Sequence, residues 1–181
     1  MLPRNELAVR AATFDELDQI QDLIVVSARE LSRGYYSDRQ IEAAITHVFG
    51  VDTTLVADGT YFVAEAAGVM QGCGGWSKRR TLFGGDQYQS RDSALSDPAV
   101  DPAKVRAFFV HPRSARSGIG RALLARCEAK ARIAGYKSAE LMSTLPGVSF
   151  YRACGYTAGA PVTFVVGEAV EIEFVPMKKL L

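Results

Sequence analysis

Two glycines and three nearby arginines are the residues of this sequence best suited to chemistry. Gly118 and Gly120 stand at the start of a long helical pattern, and Arg113, Arg116 and Arg121 surround them. The first backbone N–H groups of a helix have no partner within it, and the helix dipole adds partial positive charge, so a phosphate binds well there. Glycines leave room for the anion to approach. The pattern predicts a site for a phosphate-bearing ligand.

A strand and a helix must position this glycine turn. The apolar run Val105 to Val110 carries Phe108 and Phe109, whose side chains favour a strand, so segment 105–134 predicts a strand, a polar turn and a helix. A dinucleotide-binding turn requires a third glycine where this sequence has Leu123, and a P-loop requires a Lys-Ser or Lys-Thr pair after its last glycine. Neither pattern is present.

Segment 105–134 resembles the acetyl-CoA motif of the GNAT superfamily of N-acetyltransferases, in which a strand is followed by Gln/Arg-x-x-Gly-x-Gly/Ala opening a helix. One position departs, since Ala115 stands in the Gln/Arg position; Arg113 or Arg116 could supply the charge. An ordinary strand, turn and helix without a ligand is the alternative. The resemblance implies acetyl-CoA as co-substrate and the following binding residues: Phe108, Phe109, Val110, Ala115, Arg116, Ser117, Gly118, Ile119, Gly120 and Arg121.

A second segment, 143–157, resembles the other GNAT signature through its run Phe150-Tyr151-x-x-x-Gly155-Tyr156. The resemblance implies that Tyr151 is the catalytic acid that protonates the departing coenzyme A thiolate, because a phenol is still protonated at neutral pH. A half-buried tyrosine bonded to the backbone is the alternative. Pro146 stands where the family often has an asparagine that bonds the pantetheine arm, and Thr144 and Ser143 are polar alternatives nearby.

The sequence leaves the general base open. Acetyl transfer requires a neutral nitrogen, whereas an alkylamine with a pKa of about 10.4 is mostly protonated at neutral pH. Family members that use a glutamate early in the fourth strand would have it near Lys104, which cannot act as a carboxylate base. Glu65, Glu140 and His111 are the remaining candidates, and proton exit through water is another route.

Composition restricts the class of protein. The length of 181 residues predicts one domain, 1–181. The charges nearly balance, with 21 Lys and Arg against 20 Asp and Glu, and the sequence has no basic stripe. We therefore expect that nucleic acid is not a partner. No leader pattern opens the sequence, and no apolar run approaches the length of about 20 residues that a membrane helix needs. Cys73, Cys127 and Cys154 lack metal-ligand spacing. We therefore expect a cytoplasmic protein with no membrane partner and no metal.

The order of patterns predicts a mixed α/β fold. The resemblance implies a mostly antiparallel sheet of about seven strands flanked by about four helices and splayed between the fourth and fifth strands. It also implies a small-molecule or peptide amine as acceptor, and a homodimer is a further expectation. Tyr35 and Tyr36, between the first two helices, either contact the acceptor or pack on a neighbouring strand. Segment 84–103 has no regular period, and its aspartates either recruit a cationic acceptor or are simply solvated.

Two other functions stay open at this stage. The protein could acylate something other than an amine or use a longer acyl group, or it could be a non-catalytic acyl-CoA sensor. Tyr151 favours an enzyme, whereas Lys104 and Pro146 favour the sensor.

Overall fold

A computed structural model describes residues 7–181, which form one sheet of eight strands with five α-helices. In chain order the elements are β1 (Ala8–Ala11), α1 (Leu17–Leu31), α2 (Asp38–His47), α3 (Thr53–Ala57), β2 (Tyr61–Ala66), β3 (Val69–Ser77), β4 (Ala103–Val110), α4 (Ile119–Ile133), β5 (Ser138–Thr144), α5 (Val148–Ala153), β6 (Thr157–Ala158), β7 (Val162–Val166) and β8 (Val170–Leu180).

The sheet diverges at its centre. Its strand order is β1-β2-β3-β4-β5-β8-β6, with β7 also paired to β8, and neighbours are antiparallel except β4 and β5. These two strands pair only at Ala103 with Ala139 and at Lys104 with Glu140, and beyond that point they separate. The predicted fold class and the splay between the fourth and fifth strands are confirmed.

A β-bulge shapes β4 beside this gap. Ala107 has a φ of 55°, and the pairing with β3 shifts around Gly74. A side chain at Gly74 would have its Cβ 2.7 Å from the Phe108 ring, so only glycine permits this approach. The Tyr61 hydroxyl donates to the carbonyl of Ala107 at 3.1 Å and so supports the bulge. Gly74 on β3 therefore accommodates the bulge of β4.

The helices cover both faces of the sheet. Alternate residues of β2 point to opposite faces, so Val63 packs with α1 and α2, whereas Phe62 packs with α4. Capping boxes are present at Thr13, just before the turn that leads into α1, and at Ser37, just before α2. Helix α3 is an element that the sequence did not predict, because it is only five residues long. Within residues 7–181, every helix is too short or too polar to span a bilayer.

Candidate active site

A cavity of about 840 Å³ fills the gap between β4 and β5, within the range of about 300–1,000 Å³ typical of small-molecule sites. One wall is the stretch of β4 from Val105 to Val110, and the other is the end of β5 with α5. The cavity runs from the start of α4 to the end of α1. The divergence of the two strands therefore creates the site.

The start of α4 lies at one end of this cavity. Gly118 caps the helix with a φ of 91°, and a Cβ built on it would meet no atom within 4 Å. The first intrahelical bond runs from the N–H of Ala122 to the carbonyl of Gly118 at 3.0 Å, so the N–H groups of residues 119–121 have no acceptor within the helix. Free main-chain donors and open space together fit a phosphate group.

Arginines increase the positive charge at this end. Arg113, Arg116 and Arg121 are exposed, and none of them forms an ion pair with another described residue. Their guanidinium groups are therefore available to an anion.

The structure brings together most of the predicted cofactor residues but not all of them. Ser117 and Ile119 do not line the cavity. Ile119 is buried and packs against β3, where its side chain lies 2.8 Å from the position that a Cβ on Gly72 would take. The exposed Ser117 hydroxyl donates to the carbonyl of Ser114 at 2.5 Å. The predicted residues on the cavity wall are Phe108, Phe109, Val110, Ala115, Arg116, Gly118, Gly120 and Arg121.

The backbone of β4 offers a donor to the gap. The N–H of His111 donates to the carbonyl of Gln71, on β3, at 2.8 Å. Successive N–H groups along a strand point to opposite edges, so the N–H of Val110 points towards the gap, where β5 no longer pairs. A carbonyl oxygen that gains negative charge during reaction would be stabilised there.

Tyr151 reaches the same cavity from α5. It is buried, and its ring centroid lies 6.4 Å from that of Phe108 and 5.7 Å from that of Tyr156. Burial raises the pKa of Tyr151 well above that of a free phenol, because the phenolate would be poorly solvated. The hydroxyl therefore carries its proton at neutral pH.

The three candidate bases lie outside the cavity lining. Glu65 is paired with Arg10 at 2.5 Å, and Glu140 is paired with Lys104. The Nδ1 atom of His111 accepts from the N–H of Arg113 at 3.2 Å, which makes this histidine part of a turn. Across residues 7–181, the cavity lining contains no aspartate, glutamate, histidine or lysine.

A buried charge cluster adjoins the end of the cavity remote from α4. Arg106, on β4, has an Nη2 atom 2.5 Å from Oδ2 of Asp52, and Arg91 bonds the other oxygen of Asp52 at 3.0 Å. Burial lowers the pKa of Arg106 to about 10, although Asp52 opposes this shift. Sequence reasoning missed this pair, because two charged residues so distant in the chain give no local signal.

The two tyrosines between α1 and α2 have different roles. Tyr36 is buried; its hydroxyl donates to the carbonyl of Glu173 at 2.6 Å and accepts from the N–H of Leu145 at 2.9 Å. Its ring packs against Phe174 on β8, so of the two roles that the sequence left open, Tyr36 has the one in which it packs on a neighbouring strand. Tyr35 is 56% exposed and lines the cavity.

The aspartates of segment 84–103 accept hydrogen bonds from backbone N–H groups. Asp86 accepts from the N–H of Thr53, whereas Asp92, Asp97 and Asp101 bond N–H groups within the segment. These four carboxylates do not line the cavity.

Comparison with known proteins identifies the family. Residues 57–158, more than half of the chain, match the model of the acetyltransferase (GNAT) domain. The chain therefore belongs to the GNAT acetyltransferase family. No match was found among curated proteins.

Solved structures share the fold at low sequence identity. A GCN5-related N-acetyltransferase from Rhodopseudomonas palustris superposes with a TM-score of 0.72 at 20% identity, over 100% of this chain and 99% of the other. The PaiA N-acetyltransferase from Thermoplasma acidophilum, in complex with coenzyme A, superposes with a TM-score of 0.66 at 15% identity, over 97% of this chain and 99% of the other. YncA from Salmonella typhimurium, a putative acetyltransferase with acetyl-CoA, superposes with a TM-score of 0.62 at 19% identity, over 97% of this chain and 94% of the other.

Proposed function

We propose that this protein transfers an acetyl group from acetyl-CoA to a primary amine of a small molecule or peptide. The observation that carries the proposal is a single cavity that connects the start of α4, where main-chain N–H groups have no acceptor within the helix, with Tyr151 on α5. Membership of the GNAT family supports acetyl transfer, and coenzyme A or acetyl-CoA in two of the similar structures supports the co-substrate.

The residues of the cavity fit acetyl-CoA. The start of α4, with Arg116 and Arg121, would hold its phosphates, and the gap between β4 and β5 would admit its pantetheine arm. Acetyl-CoA would supply an acetyl group already activated as a thioester.

The protein contributes orientation and proton transfer. The N–H of Val110 would donate to the acetyl carbonyl oxygen as an amine nitrogen bonds to the carbonyl carbon and the carbon–sulfur bond breaks. Tyr151 would give its hydroxyl proton to the sulfur, and the proton lost by the nitrogen would return to Tyr151 through water. The products are an amide and coenzyme A, so atoms and charge balance.

Calorimetric titration of acetyl-CoA tests the cofactor site. Gly118→Glu would place bulk and negative charge where the phosphates are expected, and should abolish micromolar binding. Gly68→Glu is the matched control, because Gly68 also has a positive φ, of 73°, with nothing within 4 Å of a built Cβ, and it lies outside the cavity. Equal binding by both variants, or no binding by the native protein, would contradict the proposal.

A non-catalytic acyl-CoA sensor is the second candidate. The observation that favours it is the position of Glu65, Glu140 and His111, all outside the cavity lining. A sensor would bind acetyl-CoA but would release coenzyme A no faster in the presence of amines.

A further inference from the structure

The end of the cavity remote from α4 has an apolar, largely aromatic wall. It is formed by Leu31 at the end of α1, Phe49 after α2, Phe83 in the segment after β3, and Phe174 on β8. The rings of Phe83 and Phe174 have centroids 5.7 Å apart, and those of Phe49 and Phe174 are 6.3 Å apart. Rings in such contact form a preorganised surface for an apolar group.

Charge is balanced beside this wall. The adjoining cluster consists of two cations, Arg91 and Arg106, and two anions, Asp52 and Asp86, joined by ion pairs of 2.5, 3.0 and 3.6 Å. Its net charge is therefore zero. With no carboxylate among the described lining residues, this end has no group to pair with a second ammonium of an acceptor. The compensated Arg106 likewise offers little to an acceptor carboxylate.

An apolar wall also influences the reacting nitrogen. Transfer of an ammonium group from water to apolar surroundings disfavours its charged form and lowers its pKa. The site would therefore select the amine as its free base, and a side-chain base within the cavity would not be needed for the proton that is lost before binding.

We infer that the acceptor is an amine with one apolar or aromatic substituent, such as a 2-arylethylamine, bound as the free base with its substituent against Leu31, Phe49, Phe83 and Phe174. This inference rests on the proposed function and specifies its acceptor. Diamines, which carry a second cation, and amino acids, which carry a carboxylate, are the disfavoured classes.

The test compares 2-phenylethylamine, phenylalanine and 1,4-diaminobutane at saturating acetyl-CoA, with coenzyme A release as the readout. We expect kcat/KM for 2-phenylethylamine to exceed the other two by at least about tenfold. A native protein that prefers the diamine or the amino acid overturns the inference but not the proposed function. If acetyl-CoA binds and none of the three amines accelerates coenzyme A release, the inference is overturned, whereas the proposed function, which also includes peptide amines, is not.

Two pairs of variants test the location. Leu31 is 37% exposed, so the fold should tolerate Leu31→Asp, with Leu31→Asn as the uncharged control of the same shape. Relative to Leu31→Asn, the aspartate should shift the ratio of kcat/KM for the diamine to that for 2-phenylethylamine by at least about tenfold towards the diamine, since it supplies the missing anion.

Phe83→Ala should lower kcat/KM for 2-phenylethylamine at least about tenfold. Phe14→Ala, which removes a ring that is 57% exposed and outside the cavity, should leave it unchanged. An unchanged ratio in Leu31→Asp, or equal effects of the two phenylalanine variants, overturns the inference.

Discussion

Asp52→Asn tests the energetic role of the buried pair beside the cavity. Asp52 is fully buried, and the Arg106 side chain that it neutralises is only 2% exposed. Asparagine keeps the shape of the side chain and the oxygen that caps α3 by accepting from the N–H of Leu55, but it removes the charge. Removing one partner of a buried pair costs about 3–5 kcal/mol. We expect about 3 kcal/mol, because the amide oxygen that caps α3 can still accept a hydrogen bond from Arg91, whereas Arg106 loses its anion.

The double variant Asp52→Asn/Arg106→Met separates the lost charge from other effects. It removes the uncompensated buried cation, so at least about half of the lost stability should return. Urea unfolding followed by circular dichroism measures both free energies. For a chain of this size, about 3 kcal/mol corresponds to a fall in Tm of about 6–12 °C. A loss below about 1 kcal/mol in Asp52→Asn, or a double variant less stable than the single one, would refute the reasoning.

Three further changes test other parts of the structure. Tyr151→Phe should lower kcat by about 10²–10⁴ while leaving the calorimetric Kd for acetyl-CoA unchanged; an unaltered kcat would exclude the hydroxyl as proton donor. Gly74→Ala places a methyl group 2.7 Å from the Phe108 ring and should cost about 1–3 kcal/mol in urea unfolding, so wild-type stability would contradict the packing described. The hydrogen bond from Arg10 lowers the pKa of Glu16 from 4.5 to about 2, so its stabilisation is complete above pH 4.5 and is lost as the pH falls through 2. Glu16→Gln should therefore flatten the pH dependence of unfolding free energy in that window, and an unchanged slope would show that this carboxylate does not contribute.

The fold and the cofactor end could be predicted because their determinants are local. Gly118 and Gly120 sit two residues apart at a helix start, so their spacing alone indicates free N–H groups and room for an anion. The splay between the fourth and fifth strands followed from the family resemblance carried by that turn. Ile119 shows the limit, because a contiguous motif does not reveal which of its side chains turns towards the sheet.

The end of the cavity remote from α4 could not be predicted, because segments distant in the sequence form it. Phe83 and Phe174 come from a loop and from the last strand, and in the sequence neither differs from an ordinary core residue. The sequence leaves Glu140 as a candidate base, but the parallel pairing of β4 with β5 places it beside Lys104. Asp52 and Arg106 become partners only once α3 packs on the sheet.

Amine-dependent release of coenzyme A, with the amide product quantified by mass spectrometry in the same reaction, tests the central claim most directly. If the cavity catalyses acetyl transfer, coenzyme A release will increase with amine concentration to saturation, and one acetylated amine will form for each coenzyme A released. If the protein binds acetyl-CoA but releases coenzyme A at the same slow rate with and without amine, and no amide forms, the cleft is a binding site and the account of catalysis is wrong.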